Sequence, residues 1–389
     1  MTQVILKAGH VQPVWAGHPW VFAQGIERIR GDVSNGAEVQ VRDARDNVLG
    51  RGLYSAHSAI AVRLFTRDAD RRFDASLVEE RLRAALRRRS RFGLPGPETT
   101  GFRAIHGEGD GLPGLIVDVY GAALVVQFGT AGMFERRRII LDALERVFAP
   151  ESILDRTSAA AGKAERFEPT SGLIAGAPLE RLSFLERGLR FEIPIGLAQK
   201  TGYYFDQRPL RERIEQLAAG RRVLDAYSFV GSIGLGAARG GAAQVLCVDS
   251  SGPAHDTGRE LAALNGLEVE WRRGDAVEVL DGFDRSWDLV VSDPPKLAPT
   301  RAGRERAMKA LRRVARSSVR ATAAGGLVSL SSCSAALGVR ELERALALGA
   351  RDLGRTAYVL ERIFQGPDHP VPAAFPEGLY LSTLIAEVE

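Results

Sequence analysis

The feature that most constrains this chain is a regular alternation of short apolar strands and amphipathic helices, which begins near Phe191 and continues through the C-terminal half. The apolar runs predict strands at residues 222–225, 244–249, 268–272, 287–293 and 327–333, with helical periods between most of them. Repeated strand-helix units predict an α/β domain, built on a mainly parallel sheet with helices on both faces. Ligands of such sheets bind beyond the carboxyl ends of the strands, so functional residues are expected just after the strands.

The N-terminal half has a different pattern. Short apolar runs separated by turn residues predict a β-rich module with strands at residues 3–7, 37–41, 48–54 and 60–65. A basic helix over residues 77–92 is expected to close this module, and a Gly-Pro linker follows at 93–98. Strands within residues 102–127 and a helix over 134–148 then predict a compact α+β segment, and residues 159–178 are expected to form a loop. The length of 389 residues fits three domains, predicted at residues 1–73, 74–188 and 189–389.

Composition excludes several classes of protein. The two cysteines, Cys247 and Cys333, are too few for a disulfide framework and lack the Cys-x-x-Cys spacing of zinc sites. The chain has no run of about eighteen uncharged apolar residues that could span a bilayer, and its first residues lack the pattern of a secretory signal. The net charge of +4 is small, so only local basic clusters could recruit an anionic partner. We therefore expect a soluble cytoplasmic protein with no metal site and no membrane partner.

Carboxylates follow three successive strands of the predicted sheet. The first strand leads through Asp225 into a turn that ends at Gly231, and this turn lacks the G-x-G-x-x-G order of a dinucleotide site. Asp249 ends the second strand, where a carboxylate can accept both hydroxyl protons of a ribose, and Asp275 follows the third, where it can accept from the amine of adenine. The series predicts S-adenosylmethionine as cofactor. The alternative for each aspartate taken singly is a helix N-cap.

A rigid polar turn and a thiol follow the last two predicted parallel strands. The fourth strand ends in Asp293-Pro294-Pro295-Lys296, and the fifth ends beside Cys333 at the neighbouring position of the same edge. Carbon C5 of a pyrimidine is a weak nucleophile until a thiolate adds to C6, and Cys333 is the candidate thiolate. Asp293 is the candidate partner of the N3 and exocyclic amine of the base, and no base for the C5 proton is identified. Cys247 lies inside an apolar strand and is expected to be a small buried hydrophobe.

At these residues the chain resembles the bacterial large-subunit ribosomal RNA methyltransferase I family, and the resemblance covers nearly its whole length. The matching segments are Gly17-His-Pro-Trp-Val-Phe22, Glu108-Gly-Asp-Gly-Leu-Pro-Gly-Leu115, Gln199-Lys-Thr-Gly-Tyr-Tyr-Phe-Asp-Gln-Arg208, Asp368-His-Pro-Val371 and Phe375-Pro-Glu-Gly-Leu-Tyr380. The resemblance implies an N-terminal PUA domain, a small middle domain and a Rossmann-like class I methyltransferase domain that makes 5-methylcytosine in 23S RNA. It also implies that Cys333 is the nucleophile. The predicted cofactor-binding residues are Lys200, Asp225, Tyr227, Ser228, Gly231, Asp249, Ser250, Asp275, Asp293 and Pro294.

Candidate contacts to 23S RNA come from the same matches and from basic clusters. They are Trp20, Lys296, Lys309 and His369, although a histidine beside proline is as often a structural turn residue. The arginines of 81–91 and of a helix over 304–320 could follow phosphates, but charge runs are usually solvated faces. The target base would be flipped into the crevice. A homodimer is kept as a candidate assembly.

Two other functions stay open. Asp-Pro-Pro turns also orient exocyclic amines, so an amino-group methyltransferase that needs no thiol is the first alternative. The second is a non-catalytic RNA-binding or ribosome-assembly factor. The chain departs from the usual family pattern at Ser232, Leu297 and Met308, which leaves the target nucleotide open.

Overall fold

The computed structural model describes residues 2–197, 201–297, 303–334 and 336–389. The chain divides into two compact units. The first comprises residues 1–205 together with 367–378, and the second comprises residues 206–366 together with 379–389. The predicted division into three domains stays a prediction.

The first unit begins with a six-stranded sheet in the order β2-β6-β5-β4-β1-β3. Its strands are β1 Gln3–Leu6, β2 Trp20–Phe22, β3 Ile26–Arg30, β4 Glu38–Arg42, β5 Val48–Tyr54 and β6 Ile60–Thr66, with the short helix α1 Val11–Ala16 after β1. Val4, Val39, Val41 and Val62 point into its core and are buried, as the alternation in their strands requires. The β-rich module is therefore confirmed, although the short elements β2, β3 and α1 were not predicted.

A five-stranded sheet in the order β11-β10-β9-β8-β7 and a separate hairpin complete the first unit. The strands are β7 Gly101–His106, β8 Leu115–Tyr120, β9 Ala123–Phe128, β10 Ser152–Arg156, β11 Ser171–Gly176, β12 Arg181–Glu186 and β13 Leu189–Pro194. The helices are α2 Ala75–Ser90, α3 Ala131–Glu135, α4 Arg137–Phe148 and α5 Ala159–Glu165. Asp74 caps α2 by accepting a hydrogen bond of 2.9 Å from the Leu77 amide.

Two expectations for this part of the chain are wrong. Helix α2 does not close the β-rich module, because it packs on α4 and β7 and contributes Leu82 and Ala85 to the core of the five-stranded sheet. Residues 159–178 are not a loop, since they contain α5 and β11. Strand β11 is an exposed edge strand without apolar alternation, and it is held by antiparallel pairing with β10. Such pairing leaves no signal in the local sequence.

The second unit is built on a seven-stranded sheet in the order β16-β15-β14-β17-β18-β20-β19. The strands are β14 Arg222–Ala226, β15 Gln244–Asp249, β16 Glu270–Arg273, β17 Trp287–Ser292, β18 Thr322–Ser332, β19 Ala357–Phe364 and β20 Ser382–Val388. The helices are α6 Arg208–Leu217, α7 Ser232–Arg239, α8 Gly252–Leu264, α9 Ala276–Asp281, α10 Arg304–Ala321 and α11 Val339–Arg351. Strands β14 to β18 are parallel, and β20 runs antiparallel to both β18 and β19.

Helices cover both faces of this sheet, as predicted. Val223 and Val291 pack with α6 and α7, whereas the alternate residues Leu224 and Val290 pack with α9 on the other face. Val328 lies in a further cluster with α10 and α11. All five predicted parallel strands are confirmed within a few residues, and the antiparallel pair β19 and β20 was not predicted. No helix in the described ranges is long and apolar enough to cross a membrane.

Candidate active site

The carboxyl edge of the seven-stranded sheet brings together the polar residues that follow its parallel strands. Asp225 lies near the end of β14, Asp249 ends β15, and Asp293 and Cys333 directly follow β17 and β18. Because β15, β14, β17 and β18 are consecutive neighbours in the sheet, these four residues line one edge. Asp275 follows β16 at the end of the same row.

The turn after β14 adopts an unusual backbone conformation. Tyr227 and Phe229 have φ angles of 63° and 52°, and Gly231 has a φ of 73°. Left-handed conformations are unfavourable for non-glycine residues and cluster at ligand sites. Hydrogen bonds fix the turn, since the Ser228 amide donates to the Val248 carbonyl at 3.0 Å and the Gly231 amide donates to the Ser228 carbonyl at 2.7 Å. The turn is therefore a rigid backbone cradle at the start of α7.

A close contact with a neighbouring strand also requires glycine at position 231. A Cβ atom at this position would lie 2.3 Å from the ring of Trp271, which comes from β16. Its positive φ and this close contact both exclude a larger side chain. The backbone of the turn can therefore approach a ligand closely.

Asp249 and Asp275 are both held by backbone amides. Asp249 accepts hydrogen bonds of 2.9 Å from the amides of Phe229 and Ser251, so it ties the turn after β14 to the turn after β15. Asp275 caps α9 by accepting from Val277 at 3.0 Å and from Glu278 at 3.1 Å. For Asp275 the N-cap alternative is therefore present in the structure, and a capping carboxylate retains lone pairs for a further donor. The carbonyl of the neighbouring Ser250 accepts from Arg273 Nε at 3.1 Å.

Asp225 is the most deeply buried of the carboxylates and is only 1% exposed. Its Oδ2 accepts from the Gly234 amide at 2.9 Å, and its Oδ1 has no hydrogen-bond partner among the described residues. Burial, reinforced by the negative charges of Asp293 and Asp249, raises the pKa of Asp225 to about 7. Burial also raises the pKa of Tyr227 to about 12. The site therefore holds an excess of negative charge that a cationic ligand would relieve.

Asp293 has a side-chain partner that was not predicted. The Gln207 amide donates from Nε2 to Asp293 Oδ2 at 2.8 Å. Gln207 precedes α6 and lies in the segment 199–208 that carries part of the family resemblance, which is the signal that could have identified it. Pro294 is buried next to Asp293, and Lys296 is exposed.

The two cysteines occupy different environments. Cys333 is partly exposed beyond the end of β18, whereas Cys247 is fully buried within β15, as predicted. Burial holds the pKa of the Cys247 thiol well above its ordinary value, so this thiol stays protonated. Close to Cys333, the Ser331 and Thr383 hydroxyls are 2.7 Å apart and join β18 to β20. Cys333 is thus the accessible thiol of the pair.

The candidate RNA contacts fall into exposed and buried groups. Lys296 and Lys309 are exposed in the second unit. In the first unit, Trp20 is partly buried and donates to Glu108 at 2.7 Å, and His369 is 2% exposed with its Nδ1 2.9 Å from Asp368 Oδ1. Contacts of these four residues with RNA stay a prediction. Lys200, a predicted cofactor residue, lies outside the described residues.

One member of the basic helix requires a correction. Arg89 is fully buried, and its guanidinium pairs with both oxygens of Asp110 at 2.6 and 2.7 Å. It also donates to the Asp368 carbonyl at 2.7 Å. Arg89 therefore neither contacts phosphates nor belongs to a solvated face, because its guanidinium is buried and paired with Asp110. Arg83 and Arg87 on the same helix are exposed, as is Arg91 directly after it.

These features fit S-adenosylmethionine, which carries a cationic sulfonium, an ammonium group and ribose hydroxyls. The unpartnered Oδ1 of buried Asp225 can accept from such a ligand, and the raised pKa of its carboxyl would fall beside a cation. Asp249 remains able to accept from a hydroxyl group. The arrangement is that of a site for a cationic adenosine derivative.

Comparison with known proteins gives the families that the chain matches. Residues 4–67 match the model of a PUA-like domain, and residues 103–377 match that of an S-adenosylmethionine-dependent methyltransferase. The chain is 33% identical to ribosomal RNA large subunit methyltransferase I of Alteromonas mediterranea, over 99% of this chain and 98% of the relative. It is 34% identical to the protein of the same name from Aeromonas salmonicida, with 98% of each chain covered.

Solved structures share the fold at low sequence identity. A chain from Streptococcus mutans assigned as a SAM-dependent methyltransferase superposes with a TM-score of 0.84 at 17% identity, with 100% of both chains covered. A second chain, solved in complex with SAH, gives a TM-score of 0.86 at 18% identity, again over 100% of both chains. The similarity therefore extends over the whole chain.

Proposed function

This chain belongs to the S-adenosylmethionine-dependent methyltransferase family, and from that premise we propose that it forms 5-methylcytosine in 23S ribosomal RNA through a covalent cysteine adduct. Its family membership makes S-adenosylmethionine the cofactor. The ribosomal substrate is proposed because curated relatives that match nearly the full chain are named for the large-subunit RNA. The N-terminal PUA-like domain supports RNA binding, and we include a cytoplasmic location in the proposal.

One observation carries the choice of chemistry: a thiol and a carboxylate follow adjacent parallel strands. Ser292 of β17 pairs in register with Leu330 of β18, so Asp293 and Cys333 both lie just beyond the same edge. Cys333 is partly exposed and can reach a ligand, unlike Cys247. Methylation of an exocyclic amine would require no such thiol.

Cys333 acts first in the proposed reaction. Its thiolate forms a bond to C6 of the cytosine, and the electron pair of the C5–C6 double bond moves onto C5 and, through C4, towards N3. Asp293, protonated on one carboxyl oxygen, donates to N3 and accepts from the exocyclic amine through its other oxygen, so it stabilises the charge that develops towards N3. The resulting enamine is nucleophilic at C5, the atom that accepts the methyl group. Loss of the C5 proton to a base then re-forms the double bond and expels the thiolate.

The remaining residues of the edge hold the cofactor in this proposal. Bound S-adenosylmethionine supplies an electrophilic methyl group on a sulfonium centre. Asp249 accepts from ribose hydroxyls, and Asp275 accepts from the adenine amine. Asp225 faces the cationic part of the ligand, and the rigid turn from Tyr227 to Gly231 presents backbone to it. Ser250 and Pro294 flank Asp249 and Asp293 and complete the predicted contact set.

Transfer of labelled methyl from S-adenosylmethionine to RNA from a strain lacking this protein tests the proposal, followed by nucleoside analysis. Labelled 5-methylcytosine in 23S RNA is expected. Label on an exocyclic amine would show that the enzyme methylates an amino group and not C5 of cytosine. Binding of cofactor and RNA without transfer would identify an RNA-binding or assembly factor instead.

A further inference from the structure

Gln207 is a buried amide whose orientation is fixed by its contact with Asp293. The residue is 5% exposed, and Nε2 donates to Asp293 Oδ2 at 2.8 Å. The Asp293 oxygen that faces Gln207 acts as an acceptor, so the amide nitrogen must face Asp293 and the amide oxygen must face away from it. The side of the Gln207 amide that faces away from Asp293 therefore presents a hydrogen-bond acceptor, the oxygen Oε1.

None of the described residues uses that acceptor. Gln207 Oε1 is buried and has no hydrogen-bond partner among the described residues. Buried polar atoms are nearly always satisfied, so an orphan acceptor at a functional edge indicates a ligand donor. Because Nε2 and Oε1 belong to the same planar amide group and Nε2 contacts Asp293, Oε1 lies within a few ångströms of the Asp293 carboxyl group.

The residue before Gln207, Asp206, is anchored through both its side chain and its backbone. The Asp206 carboxylate accepts from the Tyr380 hydroxyl at 2.6 Å, and its backbone carbonyl accepts from the Gly366 amide at 3.0 Å. Gln207 is followed directly by α6. A side chain on such a segment can hold a fixed position, which recognition by hydrogen bonding requires.

We infer that Gln207 selects the target base by accepting one proton of its exocyclic amine, while Asp293 accepts the other. Two adjacent acceptors match an amino group, which offers two protons. They reject uracil, whose O4 is itself an acceptor and would leave both protein groups unpaired. Gln207 also positions Asp293 through its Nε2 hydrogen bond. This inference rests on the proposed function, because it deepens the account of cytosine recognition.

The test compares Gln207→Leu with Gln216→Leu, the same substitution at an exposed glutamine of α6. The substrates are a 23S transcript and a second transcript in which the methylated cytosine is replaced by uridine. For Gln207→Leu we expect kcat/KM on the cytosine transcript to fall about 100-fold, since a hydrogen-bonding site is lost. Methylation of the uridine transcript should change little, so discrimination collapses. Gln216→Leu should match the wild type on both substrates.

A second variant separates recognition from a general structural role. In Gln207→Glu, only the protonated side chain can both donate to Asp293 and accept from the amine. The activity of this variant relative to the wild type should therefore rise as the pH falls. Calorimetry with S-adenosylmethionine should give a Kd within about twofold of the wild type for both Gln207 variants, because the inferred role concerns the base.

The outcomes distinguish this inference from the proposed function. Absence of 5-methylcytosine with the wild-type protein would overturn the proposed function and this inference together. The wild type could produce 5-methylcytosine while Gln207→Leu keeps the full preference for cytosine over uridine. That result would overturn the role of Gln207 and leave the proposed function intact. A Gln207→Glu activity that falls in parallel with the wild type at low pH would overturn the positioning of Asp293.

Discussion

The backbone amide of Gly234 donates a 2.9 Å hydrogen bond to Asp225 Oδ2, which joins the end of β14 to the first turn of α7. This hydrogen bond favours the charged form of the carboxyl group, as does a longer contact of 3.9 Å from the Cys247 thiol to the same oxygen. Burial and the neighbouring charges of Asp293 and Asp249 outweigh both and raise the pKa of Asp225 to about 7. The protonation of Asp225 is therefore coupled to any charge that enters the site.

Binding of S-adenosylmethionine should release protons from Asp225 near pH 7. The unliganded carboxyl has a pKa of about 7, and a cationic ligand lowers that pKa, so the complex binds fewer protons than the free protein. Affinity should consequently rise as the pH rises through 7. Calorimetry in two buffers of different ionisation heat measures the number of protons released.

Asp225→Asn should remove this component of the proton release, and Asp256→Asn on the exposed face of α8 should retain it. S-adenosylhomocysteine, which lacks the sulfonium charge, should release fewer protons than S-adenosylmethionine. Equal proton release by the wild type and Asp225→Asn would show that Asp225 is not the coupled group.

Gly231→Ala should destabilise the second unit through a clash with Trp271. The added Cβ would lie 2.3 Å from the rigid indole ring and would occupy a φ of 73°. Overpacking and a left-handed alanine together predict a loss of about 2 to 4 kcal/mol in the free energy of unfolding, measured by urea denaturation.

Gly266→Ala is the matched control for this variant. Gly266 has a φ of 64°, but a Cβ atom there would meet nothing within 4 Å. It should lose only the conformational part, about 1 to 2 kcal/mol. If the two variants lose the same free energy, the contact with Trp271 does not matter and the prediction is wrong.

The positions of the site residues could be predicted because they follow from local pattern. Apolar runs locate the strands, and parallel topology then brings the residues after those strands, including Asp225, Asp249 and Asp293, to one edge. The burial of Cys247 follows from the same pattern. Fold class and cofactor could thus be predicted before the structure was known, together with a candidate nucleophile.

Contacts between residues far apart in the chain could not be predicted in this way. Gln207 meets Asp293 across 86 residues, and the local sequence around either one gives no indication of the other. Arg89 resembles its exposed neighbours in the sequence, and only the approach of Asp110 explains its burial. Strand β11 likewise depends on its partner β10. In each case a tertiary partner overrides the local composition.

Breaking the buried pair of Arg89 and Asp110 should strongly destabilise the first unit. In Arg89→Met the Asp110 carboxylate keeps Arg88 and the His106 amide as donors but loses its fully buried cation. Removing one partner of a buried ion pair costs about 3 to 5 kcal/mol, and urea denaturation measures the loss.

Arg87→Met, at an exposed position of the same helix, should change the free energy of unfolding by less than about 0.5 kcal/mol. The double variant Arg89→Met with Asp110→Asn should recover part of the lost stability, because no uncompensated charge remains. Equal stabilities of Arg87→Met and Arg89→Met would contradict the assigned role of the pair.

Cys333→Ala should abolish methyl transfer and leave cofactor binding intact, because the thiol attacks the base and contributes nothing to the proposed cofactor contacts. A 23S transcript made with 5-fluorocytidine tests this directly, since fluorine at C5 prevents loss of a proton and traps the enzyme on C6. The wild type and Cys247→Ala, which alters only the buried thiol, should both give an adduct that survives denaturing electrophoresis. Cys333→Ala should give none. An adduct formed by Cys333→Ala would assign the nucleophile to another residue, and full methylation by that variant would remove covalent catalysis from the mechanism.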